Sequence, residues 1–131
     1  MKTILFICVH NSGRSQMAEA FFNKLASGKA IAFSAGTEPS AQVNPSVITV
    51  MKEIGIDLSP NKPKRLTPEL LQSADKAIVM GCGVEKSCPV TFIPMEDWNL
   101  EDPEGQPIEE GRIIRDIIYN NVINLMSRMK N

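Results

Sequence analysis

The apolar residues of this chain fall into short continuous runs that alternate with segments of helical periodicity. Residues 3–9 (TILFICV) are apolar at nearly every position, which is typical of a parallel strand covered on both faces. Further runs predict strands over residues 30–36 (AIAFSAG), 76–81 (KAIVMG) and 90–95 (VTFIPM). Between them, apolar residues recur about every third or fourth position, which predicts helices.

The helices predicted from this spacing cover about residues 15–27, 45–54, 68–73 and 109–129. A proline can occupy the first turn of the second helix, and a glycine follows its end. The residues predicted to face the core from the first, second and last helices are Met17, Phe21, Leu25, Val47, Val50, Met51, Ile54, Ile114, Ile117, Ile118, Leu125 and Met129. Strands that alternate with helices predict an α/β fold with a parallel sheet and right-handed crossovers.

Length, charge and cysteine content narrow the class of protein. The 131 residues suit one domain covering residues 1–131, and a formal charge of −1 gives no reason to expect nucleic acid or a membrane surface as partner. No apolar run is long enough to span a bilayer and the N-terminal run lacks a cleavage site, so we expect a cytoplasmic protein. Its average size and even charge suit a monomer. Because the three cysteines are an odd number, we expect thiols with a burial or reactive role rather than a disulfide framework.

The loop after the first strand combines a thiol with anion-binding groups. Cys8 ends the strand, and Asn11, Ser12 and Gly13 tolerate a sharp turn into the first helix. Backbone N–H groups in such a turn form a positively polarised nest at a helix N-terminus, and Arg14 adds a guanidinium that can grip two oxygens of an anion. The same field favours the thiolate form of Cys8.

The predicted oxyanion-binding residues are Val9, His10, Asn11, Ser12, Gly13, Arg14 and Ser15. The Ser15 hydroxyl is placed to donate to the Cys8 thiolate, and Asn11 to hold the loop in shape. Taken singly, a cysteine at a strand end is usually a small buried hydrophobic residue, and an arginine at a helix start is usually a solvated charge. Their combination at one strand–helix junction predicts a site that binds a tetrahedral oxyanion and attacks its central atom.

Residues 8–22 (CVHNSGRSQMAEAFF) resemble the low-molecular-weight protein tyrosine phosphatase superfamily, and the form RSQMAE resembles its thioredoxin-coupled arsenate reductase branch. The similarity extends through FSAGTEP, NPSVITVMKEIGIDLS and EDWNLEDPEG. The resemblance implies a flavodoxin-like three-layer sandwich, in which a four-stranded parallel sheet lies between helices. It also implies reduction of arsenate to arsenite, a role in arsenic detoxification and a weak phosphatase side activity. No cofactor and no resident metal ion are expected.

Two further cysteines, Cys82 and Cys88, follow the third predicted strand in the segment MGCGVEKSCP. The loop that carries them opens on the same edge of the sheet as Cys8. A hydrolase needs one thiol, whereas two-electron reduction needs electrons, which thiols supply by passing a disulfide along. The resemblance implies that Cys8 forms an arseno-thiol adduct, that Cys82 and then Cys88 resolve it, and that thioredoxin reduces the final disulfide. Gly81 and Gly83 would let the loop move between partners.

The segment NLEDPEG is expected to supply a general acid. The resemblance implies that the aspartate of the pair Asp102–Pro103 protonates the leaving oxygen, and Pro103 biases Asp102 towards an extended backbone. By sequence alone, Asp97 and Glu101 are alternatives for this role. Trp98 either covers the mouth of the site or packs against the fold.

Three other interpretations stay open at this point. A low-molecular-weight protein tyrosine phosphatase would work through a cysteinyl-phosphate, but such enzymes usually carry tyrosines where this chain has Glu104 and Gly105. A zinc site of Cys8, His10 and the two later cysteines would have an unusually long ligand spacing. A non-catalytic oxyanion or redox sensor would oxidise once without turnover. For a reductase, glutaredoxin is the alternative to thioredoxin as reductant.

The basic segment at residues 61–65 (NKPKR) bears on a cation site that some relatives possess. Those relatives bind potassium through four residues, of which Asn11, Glu19 and Ser34 have counterparts here. The fourth position falls near Lys64, whose charge disfavours a cation, so we predict no bound potassium. Residues 61–65 are expected to form a solvated loop, and the alternative is that their charge helps attract an anionic substrate.

Overall fold

The computed structural model describes residues 2–80 and 95–129. Within these ranges one parallel sheet contains β1 (Lys2–Cys8), β2 (Ala30–Gly36), β3 (Lys76–Val79) and β4 (Met95–Asp97), in the order β2-β1-β3-β4. The helices are α1 (Arg14–Ala26), α2 (Pro45–Lys52), α3 (Pro68–Ser73) and α4 (Ile108–Arg128). None of these helices is long and apolar enough to cross a membrane.

Side chains of β1 enter two separate cores, because successive residues of a strand point to opposite faces of a sheet. Ile4 and Phe6 are wholly buried against residues of α1, α2 and α4. Leu5 and Ile7 face the other way and pack with Leu71 of α3 and with apolar residues of β3. Helices therefore cover both faces of the sheet, which confirms the predicted three-layer α/β sandwich.

The helix termini carry local signals that the sequence already contains. Pro45 occupies the first position of α2, and the Asn44 side chain accepts a hydrogen bond from the Ser46 N–H at 3.0 Å. Gly55 lies three residues beyond the end of α2 with φ +85°, a left-handed conformation that suits glycine. The Thr67 hydroxyl caps α3 by accepting a backbone N–H at 3.1 Å.

Three residues predicted to face the core are partly exposed, so those predictions are wrong. Leu25, Ile54 and Ile117 are 39%, 41% and 42% exposed. Leu25 is eight positions after Met17, a separation that turns the side chain about 80° away from the first residue of the row. Ile54 lies beyond the last residue of α2. Ile117 stands on the flank of α4, whose buried residues are Gly111, Ile114, Ile118, Val122 and Leu125.

The strands on either side of residues 81–94 differ from the sequence prediction in their bounds. β3 ends at Val79, two residues before the predicted end. The described part of the fourth strand is Met95–Asp97, whereas the prediction placed it over residues 90–95. Residues 81–94, with the predicted functional residues Gly81, Cys82, Gly83 and Cys88, lie outside the described residues.

Candidate active site

Three strand ends meet at the edge of the sheet where ligands bind in open α/β folds. Cys8 is the last residue of β1 and pairs with Gly36, the last residue of β2. Met80 follows β3, and its N–H donates to the Ile7 carbonyl at 2.8 Å. Cys8 is a free thiol and is only 2% exposed, so its sulfur lies at the floor of this edge.

The loop between β1 and α1 turns its carbonyl groups outwards. The carbonyl oxygens of Cys8, Val9, His10 and Ser12 accept hydrogen bonds of 3.3, 2.7, 3.0 and 2.9 Å from backbone N–H groups of residues 37–44. The carbonyl and the N–H of a peptide unit point in opposite directions, so the N–H groups of the loop are turned towards its interior. Together with the N-terminus of α1, they form a nest that favours an anion.

Two hydrogen-bond donors converge on the Cys8 sulfur. The Asn11 N–H lies 3.2 Å from Cys8 Sγ, and the Ser15 hydroxyl oxygen lies 2.8 Å from it. Asn11 Nδ2 donates to the same Ser15 oxygen at 2.7 Å, which leaves the Ser15 proton free to point at the sulfur. Asn11 can present these groups because its backbone is left-handed, with φ +50°. The arrangement suits a sulfur that carries negative charge.

Arg14 is buried and held by carbonyl groups from two other parts of the sheet edge. Its Nη1 donates to the Met80 carbonyl at 2.9 Å and to the Leu100 carbonyl at 3.0 Å, and its side chain is 2% exposed. Its Nη2 lies 3.6 Å from an oxygen of Asp102. The guanidinium is therefore held in one orientation by the protein itself, as electrostatic preorganisation requires.

Asp102 stands at the mouth of the site and joins Arg14 to the loop before α4. Its side chain is 37% exposed, and its Oδ1 accepts the Glu104 N–H at 3.0 Å while Oδ2 faces Arg14. Pro103 packs close to the nucleophile loop, since a Cβ added to Gly13 would lie 3.3 Å from Pro103 Cγ. The structure thus brings Cys8, Arg14 and Asp102 to one site.

The other residues of the acidic segment that the sequence offered for a role in the site make different contacts. Asp97 is exposed, and its Oδ1 accepts the Asn99 N–H at 2.8 Å. Glu101 is exposed. Trp98 packs against Phe6 with ring centroids 5.6 Å apart, and its indole N–H donates to Glu96 at 2.7 Å. Of the two roles predicted for Trp98, the structure therefore supports packing against the fold.

Sequence reasoning missed the contact that Gly36 makes with the nucleophile loop. A Cβ added at this position would lie 2.6 Å from the Val9 carbonyl oxygen and 2.9 Å from the Asn11 nitrogen, closer than real Cβ atoms approach. Only glycine therefore lets the loop lie directly over the end of β2. The available signal was the glycine at the end of the run AIAFSAG, which indicates a turn but not its partner.

Residues 61–65 form a loop with exposed basic side chains, as predicted, and their backbone in addition contacts the nucleophile loop. The Lys64 N–H donates to Asn11 Oδ1 at 2.8 Å, and the Lys64 carbonyl accepts the Gly36 N–H at 2.8 Å. Lys62, Lys64 and Arg65 have exposed side chains, so the segment presents positive charge to solvent while its backbone braces the site.

Two groups near the loop are relevant to metal binding. The Ser34 hydroxyl donates to the Glu19 carboxylate, and Lys64 Nζ lies 3.7 Å from the same carboxylate oxygen, so a lysine charge already neutralises this position. Within the described residues, His10, Asp102 and Glu104 bring potential ligand atoms within 4.8 Å of one another at the mouth of the site. These are the described residues that could hold a cation there.

A small pocket adjoins the nucleophile loop. It has a volume of about 250 Å³ and meets the loop at Ser12. Its other described lining residues are Ser40, Ala41, Gln42, Asn44, Pro45, Glu104 and Gly105. Among these described lining residues there is no aromatic side chain that could stack on a phenyl ring.

Comparison with known proteins assigns this arrangement to a family. The family model for low molecular weight phosphotyrosine protein phosphatases matches residues 3–131. The chain belongs to this family. The glutaredoxin arsenate reductase of Synechocystis sp. is 40% identical over 131 residues, which cover 98% of this chain and 99% of that protein. The predicted relationship to the phosphatase superfamily and its arsenate reductases is therefore confirmed.

Solved structures of the family agree with the fold. The thioredoxin-dependent arsenate reductase of Corynebacterium glutamicum matches with a TM-score of 0.84 and 34% identity, covering 99% of this chain and 62% of that one. The low molecular weight protein tyrosine phosphatase from T. tengcongensis matches with a TM-score of 0.88 and 26% identity, covering 98% and 99% of the two chains. This chain is thus similar both to reductases and to phosphatases that share the fold.

Proposed function

We propose that this protein reduces arsenate to arsenite, with Cys8 as the nucleophile. The observation that carries the proposal is the environment of Cys8 Sγ, which receives the Asn11 N–H at 3.2 Å and lies 2.8 Å from the Ser15 hydroxyl. Arg14 and Asp102 lie 3.6 Å apart at the same edge of the sheet, where the loop N–H groups face inwards. The names of similar proteins support arsenate as the substrate.

In the first step the Cys8 thiolate attacks arsenic(V) of bound arsenate. A sulfur–arsenic bond forms and the bond from arsenic to one hydroxyl group of the arsenate breaks. The leaving hydroxyl takes a proton from Asp102 and departs as water. Arg14 and the inward N–H groups stabilise the charge on the remaining oxygens. No electron has yet been transferred, so this step is shared with phosphoryl transfer in the phosphatases.

In the second step we propose that Cys82 attacks the Cys8 sulfur. A disulfide forms between them, the sulfur–arsenic bond breaks, and its electron pair stays on arsenic, which leaves as arsenite. Cys88 then attacks Cys82, giving a Cys82–Cys88 disulfide and restoring the Cys8 thiolate. Two thiols are oxidised for one arsenic(V) reduced to arsenic(III). The support is sequence position, because Cys82 comes two residues after Met80, whose carbonyl binds Arg14.

The final disulfide needs an external dithiol reductant, and we propose thioredoxin. A relay that ends in a disulfide within the chain suits a partner that reduces by dithiol exchange. The name of the Corynebacterium relative supports thioredoxin, whereas the name of the Synechocystis relative supports glutaredoxin. Turnover supplied with thioredoxin and its reductase, measured against turnover with glutathione and glutaredoxin, separates the two.

An arsenate-dependent disulfide map tests the reaction directly. Reduced protein is incubated with arsenate, and disulfides are located by mass spectrometry. We expect a Cys82–Cys88 disulfide in the parent protein, a trapped Cys8–Cys82 disulfide in Cys88→Ser, and no disulfide in Cys8→Ser. Equal disulfide formation with and without arsenate, or in Cys8→Ser, would contradict the proposal. A redox sensor would form the disulfide but would not release further arsenite when reductant is supplied.

The family membership favours one second candidate, hydrolysis of aryl phosphates through a cysteinyl-phosphate. The Cys8, Arg14 and Asp102 arrangement suits this reaction as well, because its first step uses the same groups. The measurement is hydrolysis of p-nitrophenyl phosphate by a Cys82→Ser/Cys88→Ser variant. If aryl phosphate turnover is fast and survives both substitutions while arsenate reduction is absent, the phosphatase assignment replaces the reductase.

A further inference from the structure

Gln16 is a wholly buried polar residue in the first turn of α1, with an exposure of 0%. Its Nε2 donates to the Asn11 carbonyl at 3.2 Å, to Asn11 Oδ1 at 3.1 Å and to the Lys62 carbonyl at 3.4 Å. Its Oε1 accepts from Asn61 Nδ2 at 3.2 Å. A buried amide of this kind is tolerated because its polar atoms are bonded, and each of these bonds reaches the nucleophile loop or residues 61–65.

Gln16 completes the set of contacts that turn the loop carbonyls outwards. The backbone of residues 37–44 binds the carbonyls of residues 8, 9, 10 and 12. The carbonyl of Asn11, between them, accepts its hydrogen bond from the Gln16 side chain. The Gln16 side chain thus donates to the Asn11 carbonyl, just as backbone N–H groups of residues 37–44 donate to the other loop carbonyls.

The contact fixes Asn11 at the point where it meets the nucleophile. Asn11 has a left-handed backbone with φ +50°, which is uncommon for residues other than glycine. Its two oxygens are held by Gln16 and by the Lys64 N–H at 2.8 Å. With both oxygens held on one side, its N–H faces Cys8 Sγ and its Nδ2 faces the Ser15 hydroxyl.

We propose that Gln16, anchored by Asn61, is a positioning residue that sets the reactivity of Cys8 by holding Asn11 in its left-handed conformation. The inference rests on the proposed function in one respect, that Cys8 is the nucleophile. Gln16 acts through Asn11 and Ser15 and does not itself contact the sulfur. Its effect should therefore be seen in the reactivity of the thiol as well as in turnover.

The test measures alkylation of Cys8 by iodoacetamide as a function of pH. The full-length chain carries Cys82→Ser and Cys88→Ser, so that Cys8 is the remaining thiol. We expect Gln16→Ala to slow alkylation at neutral pH by about tenfold, the effect of weakening one or two donors to a charged sulfur. We also expect the half-maximal rate to move to higher pH. Gln16→Glu should slow alkylation at least as much as Gln16→Ala does, because its carboxylate would face the two oxygens of Asn11.

Asn23 of α1 provides the matched control. Its amide also bonds backbone, accepting the Ala32 N–H at 2.8 Å and donating to the Ala32 carbonyl at 3.1 Å, at the end of α1 away from Cys8. Asn23→Ala should lower stability while leaving the alkylation profile unchanged. If Gln16→Ala alkylates like the parent, or if Asn23→Ala slows alkylation equally, the positioning role is wrong.

Asn61→Ala keeps the inference testable if Gln16→Ala does not fold. Asn61 is half-buried, and within residues 2–80 and 95–129 the hydrogen bond of its side chain is the one to Gln16, so its loss removes the anchor of the Gln16 carbonyl. We expect alkylation about two- to threefold slower, and an unchanged rate would overturn the role of the anchor. Absence of arsenate reduction in the parent protein would defeat the proposed function, yet the alkylation comparison would still report on Gln16.

Discussion

Two clusters of polar side chains in this protein are each held together by hydrogen bonds, one in the buried interior and the other in contact with solvent. The nucleophile cluster consists of Cys8, Asn11, Arg14, Ser15 and Gln16, each at most 2% exposed. The ion-pair cluster surrounds Glu96, which binds Arg128 at 3.1 Å, Lys76 at 3.0 Å and the Trp98 indole at 2.7 Å. The first is built mostly from neutral amides, hydroxyls and carbonyls, and the second from charges that keep contact with water.

The difference explains what each cluster can do. Removing one partner from a buried network leaves another polar group unsatisfied, so orientation is enforced strongly and errors are costly. Among the described residues no buried side-chain polar atom lacks a hydrogen-bond partner, which fits such enforcement. Exposed ion pairs are screened by solvent and contribute modestly. Changes in the nucleophile cluster should therefore alter chemistry, and changes in the ion-pair cluster should alter stability.

Arg14→Lys should produce the largest effect. A lysine ammonium lacks the planar fork that binds the Met80 and Leu100 carbonyls while facing the anion. We expect kcat/KM for arsenate to fall by about 10²–10³-fold. The control is Arg128→Lys in the ion-pair cluster, where kcat/KM should stay within about twofold of the parent. Similar losses in both variants would contradict the division between the clusters.

Asp102→Asn tests the assignment of the general acid. Asparagine can keep the hydrogen bond from the Glu104 N–H but cannot deliver the proton, so we expect kcat to fall by about 10²-fold. KM for arsenate should change little, because asparagine keeps the shape of the aspartic acid side chain. Asp97→Asn is the matched control, since Asp97 makes the same kind of turn with Asn99 away from Arg14. A larger loss in Asp97→Asn would move the acid to that residue.

Gly36→Ala tests the close approach of the loop to β2. The new methyl group would meet backbone at 2.6 Å, so we expect a loss of about 2–4 kcal/mol in unfolding free energy and slower alkylation of Cys8. Gly111→Ala in α4 is the control, because the new Cβ would lie 3.6 Å from Val50 Cγ1, an ordinary van der Waals contact. Urea unfolding should show Gly111→Ala to be neutral or stabilising. Equal destabilisation of both variants would contradict the steric argument.

The smallest effect is expected from acid titration of the ion-pair cluster. Hydrogen bonds from Arg128, and also from Lys76 and Trp98, lower the pKa of Glu96 from 4.5 to about 2. A folded-state pKa below the unfolded value stabilises the protein fully above about pH 4.5, and that stabilisation is lost as pH falls towards 2. We expect it to amount to about 1–3 kcal/mol, with the lower end favoured by partial exposure.

Urea unfolding of the parent and of Glu96→Gln at pH 7 and pH 3 measures this contribution. The variant should be less stable at pH 7 and should lose less stability on acidification than the parent. Arsenate reduction at pH 7 should be unchanged, because Glu96 lies in the ion-pair cluster. Parallel pH profiles for the two proteins would show that Glu96 does not carry the effect.

The outline of the fold and the position of the nucleophile follow from local sequence patterns. The continuous apolar run ending at Cys8, the turn-forming residues after it and Arg14 at the start of α1 are neighbours along the chain, and the structure keeps that order. The bounds of α1 and α4 agree with the prediction to within about one residue because apolar spacing records which side of a helix meets the core. The spacing predicts burial least well for side chains at the edge of an apolar row, and Ile117 is an example.

Local patterns along the chain therefore specify the succession of strands and helices, the nucleophile loop and the family of the protein. The contacts that support this loop come from tertiary packing, and they are made by Gly36, the Gln16 amide and the backbone of residues 61–65. Lys64 and Asn11 are 53 positions apart, and a contact over such a distance leaves no periodic trace in either segment. It exists because the parallel sheet brings the ends of distant strands to one edge, where their backbone groups must find partners.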